Sequence, residues 1–157
     1  MKNMFPAVLG ALVGIVIITP ALSDQYVIEV YNDSAGKMIL RRPAVPGDPF
    51  SFEYTNSVDF QPVVENFTFD KRGEIILTDQ FIKEHAYGLP ETFPEDHWRV
   101  VEGKIHIYDL KRRIGTIVLR VSFLNDQFLV FNGLRLNLTR VARGGQRIIV
   151  SVHRLEE

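Results

Sequence analysis

The chain has 157 residues, 46% of them hydrophobic, which suits one globular domain plus a short additional segment. Its formal net charge of −1 lacks the basic surplus that is typical of nucleic-acid-binding domains. It contains no cysteine, which excludes disulfides, a thiolate nucleophile and a cysteine metal site. The four histidines are too widely spaced for a short ligand motif, so we expect no metal and no cofactor.

Charge is divided unevenly along the chain. Residues 24–98 contain six Lys or Arg against 14 Asp or Glu, whereas residues 99–157 contain 11 against five. One interpretation is that acidic and basic strands meet across one sheet. The other is a basic surface that binds an anionic ligand, a lipid headgroup or a partner. In that second interpretation the candidate anion-binding residues are Arg120, Arg135 and Arg147.

The amino-terminal 23 residues have the pattern of a membrane-targeting segment. Lys2 is followed by an uncharged run, and residues 21–23 resemble the small-residue cleavage site of a signal peptide. Residues 4–22 are also long enough to cross a bilayer as a helix that is retained. Residues 1–23 are therefore predicted to be a signal peptide or an amino-terminal anchor, and residues 24–157 a domain outside the cytoplasm.

Beyond residue 24 the dominant hydrophobic period is two, which is typical of β-strands. Strand-like runs alternate with clusters of Gly, Pro, Asn and Asp at near-regular spacing. We count about nine short strands, preceded by the one hydrophobic helix. This pattern predicts an all-β fold, either an antiparallel sandwich or a partly closed barrel.

The segment FEYTNSVDFQPVVENFTF, residues 52–69, places two polar residues on a face that is otherwise apolar. If the hairpin turns at residues 60–61, Asn56 lies opposite Glu65. The same register pairs aromatic residues with each other: Tyr54 with Phe67, and Phe52 with Phe69.

Two roles are open for an Asn56–Glu65 pair. The pair could fix the register of a buried hairpin, or it could grip a ligand or a partner at the end of the sheet. Because Asn has no titratable proton, the pair lacks the acid–base partner that hydrolysis usually needs. We therefore predict no catalytic residue, and a hydrolase that depends on Glu65 is the least favoured alternative.

Two stretches of the sequence carry a resemblance to a known family. The residues are Gly47, Asp48, Phe50, Tyr54, Asn56, Ser57, Val58, Pro62, Val63, Glu65, Phe67, Gly73, Phe81 and the run 86–90 (Ala-Tyr-Gly-Leu-Pro). On them the chain resembles the DUF1850 family of small bacterial and archaeal proteins, over about residues 26–152 and most specifically over residues 47–90. Family members usually have His-Ser-Val where this chain has Asn56-Ser57-Val58, which argues against histidine chemistry at this position.

The resemblance implies a role in transport. DUF1850 proteins look like accessory components of TRAP transporters of the TAXI type, which take up organic acids with an extracytoplasmic solute receptor and membrane subunits. The expected partners are that receptor, those subunits and the cytoplasmic membrane, the last through residues 4–22. An alternative is a β-domain that binds a small organic anion. The candidate ligand- or partner-binding residues are Asn56, Ser57, Pro62, Glu65, His85, Tyr87, Gly88, Leu89 and Pro90.

Overall fold

The computed structural model describes residues 26–58, 60–83 and 97–155. Within these ranges twelve strands and one helical turn form two antiparallel sheets packed face to face. The all-β prediction is confirmed as a sandwich, and the described strands do not close into a barrel. The strands are β1 (Tyr26–Asn32), β2 (Lys37–Ala44), β3 (Phe50–Thr55), β4 (Pro62–Phe69), β5 (Ile75–Lys83), β6 (His97–Val101), β7 (Lys104–Tyr108), β8 (Arg112–Gly115), β9 (Ile117–Arg120), β10 (Phe128–Phe131), β11 (Leu134–Asn137) and β12 (Arg147–Arg154), with α1 (Leu138–Val141) between β11 and β12.

The small sheet has the order β2-β1-β12-β9, and the large sheet has the order β11-β10-β3-β4-β5-β7-β6. The eighth strand of the large sheet, β8, pairs with the first part of β5, whereas β7 pairs with the last part. In the described ranges no helix is long and apolar enough to cross a membrane. The predicted amino-terminal helix, residues 4–22, lies outside the described residues.

The main core lies between the two sheets and is rich in aromatic and β-branched residues. Phe50 and Phe67 stack with ring centroids 5.2 Å apart, and Tyr26 of the small sheet meets Phe69 of the large sheet at 5.7 Å. Fully burying a side chain of this size stabilises a fold by about 1.5–3 kcal/mol. The alternation of apolar residues in β1, β3, β4 and β12 therefore supplies the main force that holds the sheets together.

A second, smaller core lies near the other end of the large sheet. It consists of Val63, Ile82 and Ile107, each almost fully buried, from three neighbouring strands. Tyr54 and Leu110 are half-buried and pack against both cores. This second core supports the end of the sandwich at which β3 turns into β4.

The predicted register of the β3–β4 hairpin is wrong. Phe52 lies opposite Glu65, and Tyr54 lies opposite Val63, so every pairing is shifted by four residues from the prediction. The reason is that the connection is longer than two residues: Asn56 has left the strand, and its backbone closes a turn with Gln61. Because the shift is an even number, each side chain stays on its predicted face.

The chain also has more strands than the count of about nine. An extra strand, β6, begins at His97, and the run 115–123 is divided, so that a separate β9 covers Ile117–Arg120. In the strand-like run at residues 134–139, β11 ends at Asn137, whose side-chain oxygen accepts a hydrogen bond from the N–H of Thr139 at 3.0 Å and caps α1. An Asn in this position satisfies a helix N–H that would otherwise have no partner.

Ion pairs join the acidic and the basic halves of the sequence. Arg135 on β11 contacts Glu53 on β3 at 2.6 Å, and Arg113 on β8 contacts Asp70 at 3.0 Å. For these two arginines the first interpretation is confirmed: basic residues of the second half of the chain pair with acidic residues of the first half in or beside the large sheet. They are exposed to solvent, which screens their attraction, so they add little to the stability of the fold.

Candidate docking site

An open groove of about 630 Å³ lies at one end of the sandwich, between the β3–β4 turn and the segment that follows β9. Its walls include three of the candidate residues: Asn56, Ser57 and Arg120. The remaining lining residues are Tyr54, Thr55, Ser122, Phe123, Leu124 and Gln127. The groove therefore combines the most specific part of the family resemblance with a loop that the sequence did not single out.

Asn56 builds the β3–β4 turn. Its backbone N–H donates to the carbonyl of Gln61 at 2.8 Å, and its own carbonyl accepts from the N–H of Phe60 at 2.9 Å. Its side-chain oxygen accepts from the N–H of Val58 at 2.9 Å, the local bond that favours Asn in turns. Asn56 is thus used within the turn and does not pair with Glu65, contrary to prediction.

The turn presents apolar side chains to solvent. Val58 is 69% exposed and Phe60 is 62% exposed, and across the groove Phe123 and Leu124 are 81% and 77% exposed. Adjacent exposed apolar side chains are characteristic of interaction surfaces. We call these four residues the apolar tip: Val58, Phe60, Phe123 and Leu124.

The segment after β9 is held by polar contacts that leave its apolar side chains outside. The Ser122 hydroxyl oxygen accepts from the N–H groups of Leu124 and Asn125, both at 3.1 Å. The side chain of Gln127 accepts from the N–H of Ser122 at 2.8 Å and donates to the carbonyl of Arg120 at 3.3 Å. The loop therefore has a defined shape although its two largest side chains contact little.

Glu65 lies on the inner face of the large sheet and is half-buried. It accepts hydrogen bonds from Tyr54 and from Gln80, the latter at 3.1 Å. Burial raises the pKa of the Glu65 carboxyl, and these two hydrogen bonds offset part of that rise. Burial also raises the pKa of the Tyr54 phenol, with a further contribution from the nearby charge of Glu65.

These three residues form a satisfied polar cluster rather than an acid–base pair. Tyr54 keeps its proton at neutral pH, and its hydroxyl group donates a hydrogen bond to Glu65. Gln80 has no titratable group. The cluster joins β3, β4 and β5 between the two cores. Glu65 therefore has the structural role of fixing the register, with Tyr54 and Gln80 as partners in place of Asn56.

The three arginine candidates do not converge. Arg147 donates to Asp33 through Nε at 2.7 Å, and Arg135 is paired with Glu53 while its guanidinium lies 3.9 Å from the centre of the Phe128 ring. Arg120 lies across from Arg147 on the neighbouring strand, and it alone of these three lines the groove. Its Nη1 donates to the carbonyl of Gly145 at 3.1 Å, which leaves its other N–H groups for a ligand.

The other candidates occupy two positions. Pro62 is exposed at the start of β4, directly after the turn. The loop candidates His85, Tyr87, Gly88, Leu89 and Pro90 lie outside the described residues. The strand that precedes them, β5, ends at Lys83, next to Ile82, which pairs with Val63 at the tip end of the sandwich.

A polar cluster that the sequence did not indicate lies on the outer face of the large sheet. His106 is buried, stacks on Phe81 with ring centroids 4.1 Å apart, and places Nε2 2.8 Å from Oδ1 of Asp79. Its other ring nitrogen, Nδ1, lies 3.4 Å from the guanidinium of Arg99. Both ring nitrogens are therefore in use, and the arrangement leaves none to activate a nucleophile. The cluster could not be read from the sequence because its contacts join segments that are distant in sequence.

Comparison with known proteins gives one match. The model of a family described as a domain of unknown function, DUF1850, matches residues 50–138, which is more than half of the chain. No curated protein and no solved structure matches. The family match confirms the resemblance, whereas the association with a transporter stays a prediction.

Proposed function

The chain belongs to the DUF1850 family, and on this basis we propose that it is a non-enzymatic accessory domain of a TAXI-type TRAP uptake system, active outside the cytoplasm. In this proposal the apolar tip docks on a protein component of the transporter. The observation that carries this proposal is that the hairpin with the densest family motif exposes Val58 and Phe60 in its turn. Asn56 and Ser57 of the same turn line one groove with the exposed Phe123 and Leu124.

The polar groups in the segments that carry the apolar tip support docking rather than catalysis. Asn56 closes its own turn, and the Ser122 hydroxyl accepts two N–H groups of its own loop. Glu65, the carboxylate among the candidate binding residues, accepts hydrogen bonds from Tyr54 and Gln80. Hydrogen bonds of this kind hold a binding surface in one shape before the partner arrives, which lowers the entropic cost of binding.

The position of the tip favours the solute receptor as the partner. The first described residue, Tyr26, contacts Phe69 at the carboxyl end of β4. The hairpin residues of the tip, Val58 and Phe60, directly precede the amino end of β4 at Pro62. The two ends of an eight-residue strand are roughly 23 Å apart. If residues 4–22 stay in the bilayer, only three residues separate them from Tyr26, so the tip can reach farther from the membrane than the end of β4 at Phe69 can.

A small organic anion is the alternative ligand, and Arg120 is the observation that favours it. Arg120 lines the groove and keeps N–H groups for a carboxylate, with the apolar Phe123 and Leu124 beside it. A thermal shift with dicarboxylates tests this alternative. An upward shift in the wild-type chain that is lost in Arg120→Gln supports it, and no shift contradicts it.

The docking proposal is tested by binding between the full chain in nanodiscs and a purified TAXI receptor from the same organism. Phe60→Ser removes an apolar tip residue, and we expect at least a tenfold weaker complex. Val45→Ser is the matched control because Val45 is also exposed but lies at the opposite end, beside the turn whose Gly47 N–H donates to Phe69. Equal binding by wild type and Phe60→Ser contradicts docking through the tip, and no complex with the receptor contradicts that partner.

A further inference from the structure

The ring of Phe123 lies on the backbone of two glycines. A Cβ atom at Gly144 would lie within 2.8 Å of Cε1 of this ring, and one at Gly145 would lie within 2.8 Å of Cζ. Gly145 has a φ of 82°, a conformation that glycine adopts readily and other residues adopt rarely. The glycine turn therefore serves as a platform that only residues without a side chain can form.

The glycine platform is tied to the loop that carries Phe123. The N–H of Gly145 donates to the carbonyl of Val121 at 2.8 Å, and the N–H of Val121 donates to the carbonyl of Gln146 at 2.9 Å. These two bonds fix the distance between the platform and the residue that precedes Ser122. Phe123 is thus 81% exposed, and the part of its ring that is covered lies against the two glycines.

Exposed basic residues flank this ring on both sides. The groove described above contains Arg120, and a second groove of about 730 Å³ also has Phe123 in its wall. The second groove is lined by Lys37, Arg140 and Arg143 among other residues, and none of the described residues that line either groove is an Asp or a Glu. Each of these four cations is exposed.

The nearby carboxylates do not cancel this charge. Asp33 is paired with Arg147, which is not one of the four cations. Asp126 accepts from the hydroxyl of Thr139 at 2.7 Å and interacts with the charge of Arg140, so it offsets one cation at most. Among the described residues, the surface around Phe123 therefore carries more positive than negative charge.

We propose that Phe123 and the four cations form a recognition surface for an acidic peptide segment that contains an apolar side chain. This inference rests on the proposed docking function and states the chemistry of the partner. The apolar side chain packs on the free face of the Phe123 ring, and carboxylates on either side pair with Arg120 and with Arg140 or Arg143. Aromatic and Arg side chains that a partner covers often carry much of the binding energy of a protein interface, and complementary charges around them add specificity.

The orientation of the ring favours a peptide over a lipid surface. A side chain that enters a bilayer must project from its loop, whereas atoms of this ring lie close to both Gly144 and Gly145. Two grooves that meet at the ring also suit an extended chain that crosses it. A membrane surface is accordingly an outcome of the test and not the proposed partner.

The test measures fluorescence anisotropy of labelled peptides with the full chain in phosphatidylcholine nanodiscs. The first probe is a short peptide in which Glu residues surround one Leu and one Phe, and the second replaces Leu and Phe by Ser. We expect the first to bind at least tenfold more tightly than the second. Its binding should also weaken at least tenfold between about 50 and 500 mM salt, because exposed charges are screened.

Three variants place the binding on this surface. Phe123→Ala removes the ring, and Gly144→Ala displaces it without a change of charge, so each should weaken binding at least tenfold. Arg42→Gln removes an exposed cation of β2, the strand that begins at Lys37, and should leave binding unchanged. Thermal melts confirm that each variant is folded. If Gly144→Ala unfolds the chain, Phe123→Ala together with Arg143→Gln decides the question.

The outcomes separate this inference from the docking function. Peptide binding that Phe123→Ala leaves intact, or no binding by the first peptide, overturns the inference while the receptor experiment still decides docking. Binding to phosphatidylglycerol vesicles that depends on Phe123, without peptide binding, overturns the peptide in favour of a lipid surface. Peptide binding at Phe123 with no receptor complex overturns the proposed partner and leaves the recognition surface.

Discussion

The Nε2 atom of His106 lies 2.8 Å from Oδ1 of Asp79, across two neighbouring strands on the outer face of the large sheet. Since Nδ1 faces the guanidinium of Arg99, which can only donate, Nε2 carries the proton that Asp79 accepts. One face of the imidazole is covered by Phe81. His106 therefore connects β5, β6 and β7 through side chains in addition to the backbone hydrogen bonds.

Replacing His106 should destabilise this part of the sheet. We expect His106→Ala to lower the free energy of unfolding by about 1–3 kcal/mol, because Asp79 loses a donor and Phe81 loses its stacking partner. Chemical denaturation measures the change. His97→Ala is the control: His97 is exposed and stacks on Tyr108, and its removal should cost less than about 0.5 kcal/mol. Equal losses in the two variants would contradict a special role for His106.

The register of the β3–β4 hairpin can be tested with introduced cysteines, since the chain has none of its own. Glu53 and Val64 lie directly opposite each other, and the Cα separation of opposed antiparallel residues, about 4.5–5.5 Å, suits a disulfide. The variant Glu53→Cys with Val64→Cys should therefore form a disulfide on mild oxidation. The variant Asn56→Cys with Glu65→Cys should stay reduced. A disulfide in the second variant alone, read by mass spectrometry, would restore the register predicted from the sequence.

The raised pKa of Glu65 makes stability depend on pH in a definite direction. The pKa of Glu65 is higher in the folded state than its ordinary value of 4.5, so the folded state binds this proton more tightly than the unfolded state does. The contribution of this group to stability is therefore present at low pH and is lost as pH rises through the folded pKa. Glu65→Gln removes that loss, so the melting temperature of the variant relative to wild type should increase from pH 4 to pH 8.

An exposed glutamate provides the comparison for this pH effect. Glu102 lies in the turn between β6 and β7, and Glu102→Gln should show a nearly constant difference from wild type over the same pH range. A difference for Glu65→Gln that stays flat or decreases with pH would show that burial does not dominate the environment of Glu65.

Gly73 allows the small sheet to approach the turn between β4 and β5. Its φ is 79°, and an added Cβ would lie 2.9 Å from the backbone oxygen of Val152. We expect Gly73→Ala to cost about 2–3 kcal/mol, through backbone strain and the clash together. Gly103→Ala isolates the strain, since Gly103 has a φ of 71° and open space around it, and should cost about 1 kcal/mol. Equal losses by denaturation would contradict the close contact with β12.

The faces of the strands could be predicted from the sequence, but their pairing could not. Alternation places Phe52, Glu65 and Phe67 on one face, and the structure agrees. The register depends on the length of the turn, and a shift by an even number of residues leaves the alternation unchanged. The hydrogen bond between the Asn56 side chain and the N–H of Val58 belongs to a turn longer than the two residues predicted. The preference of Asn for turns is known, but it does not give the length of the turn.

The site could be located only in part. The hairpin motif led to Asn56 and Ser57, which do line the groove. Phe123 was not a candidate, because its exposure follows from a loop shape that Ser122 and Gln127 determine through hydrogen bonds. The glycine pair at residues 144–145 has the sequence signature of a turn between strands, and its contact with Phe123 joins residues more than 20 positions apart in sequence.

The apolar tip is carried by strands that have neighbours on both edges. β3 lies between β10 and β4, and β4 lies between β3 and β5, so backbone hydrogen bonds hold the hairpin along both sides. A force applied at Phe60 along the strand direction would load all these bonds in shear at once, rather than opening them one after another. A partner that moves while it holds the tip should therefore move the sandwich as one body, so the domain can transmit mechanical displacement without unfolding.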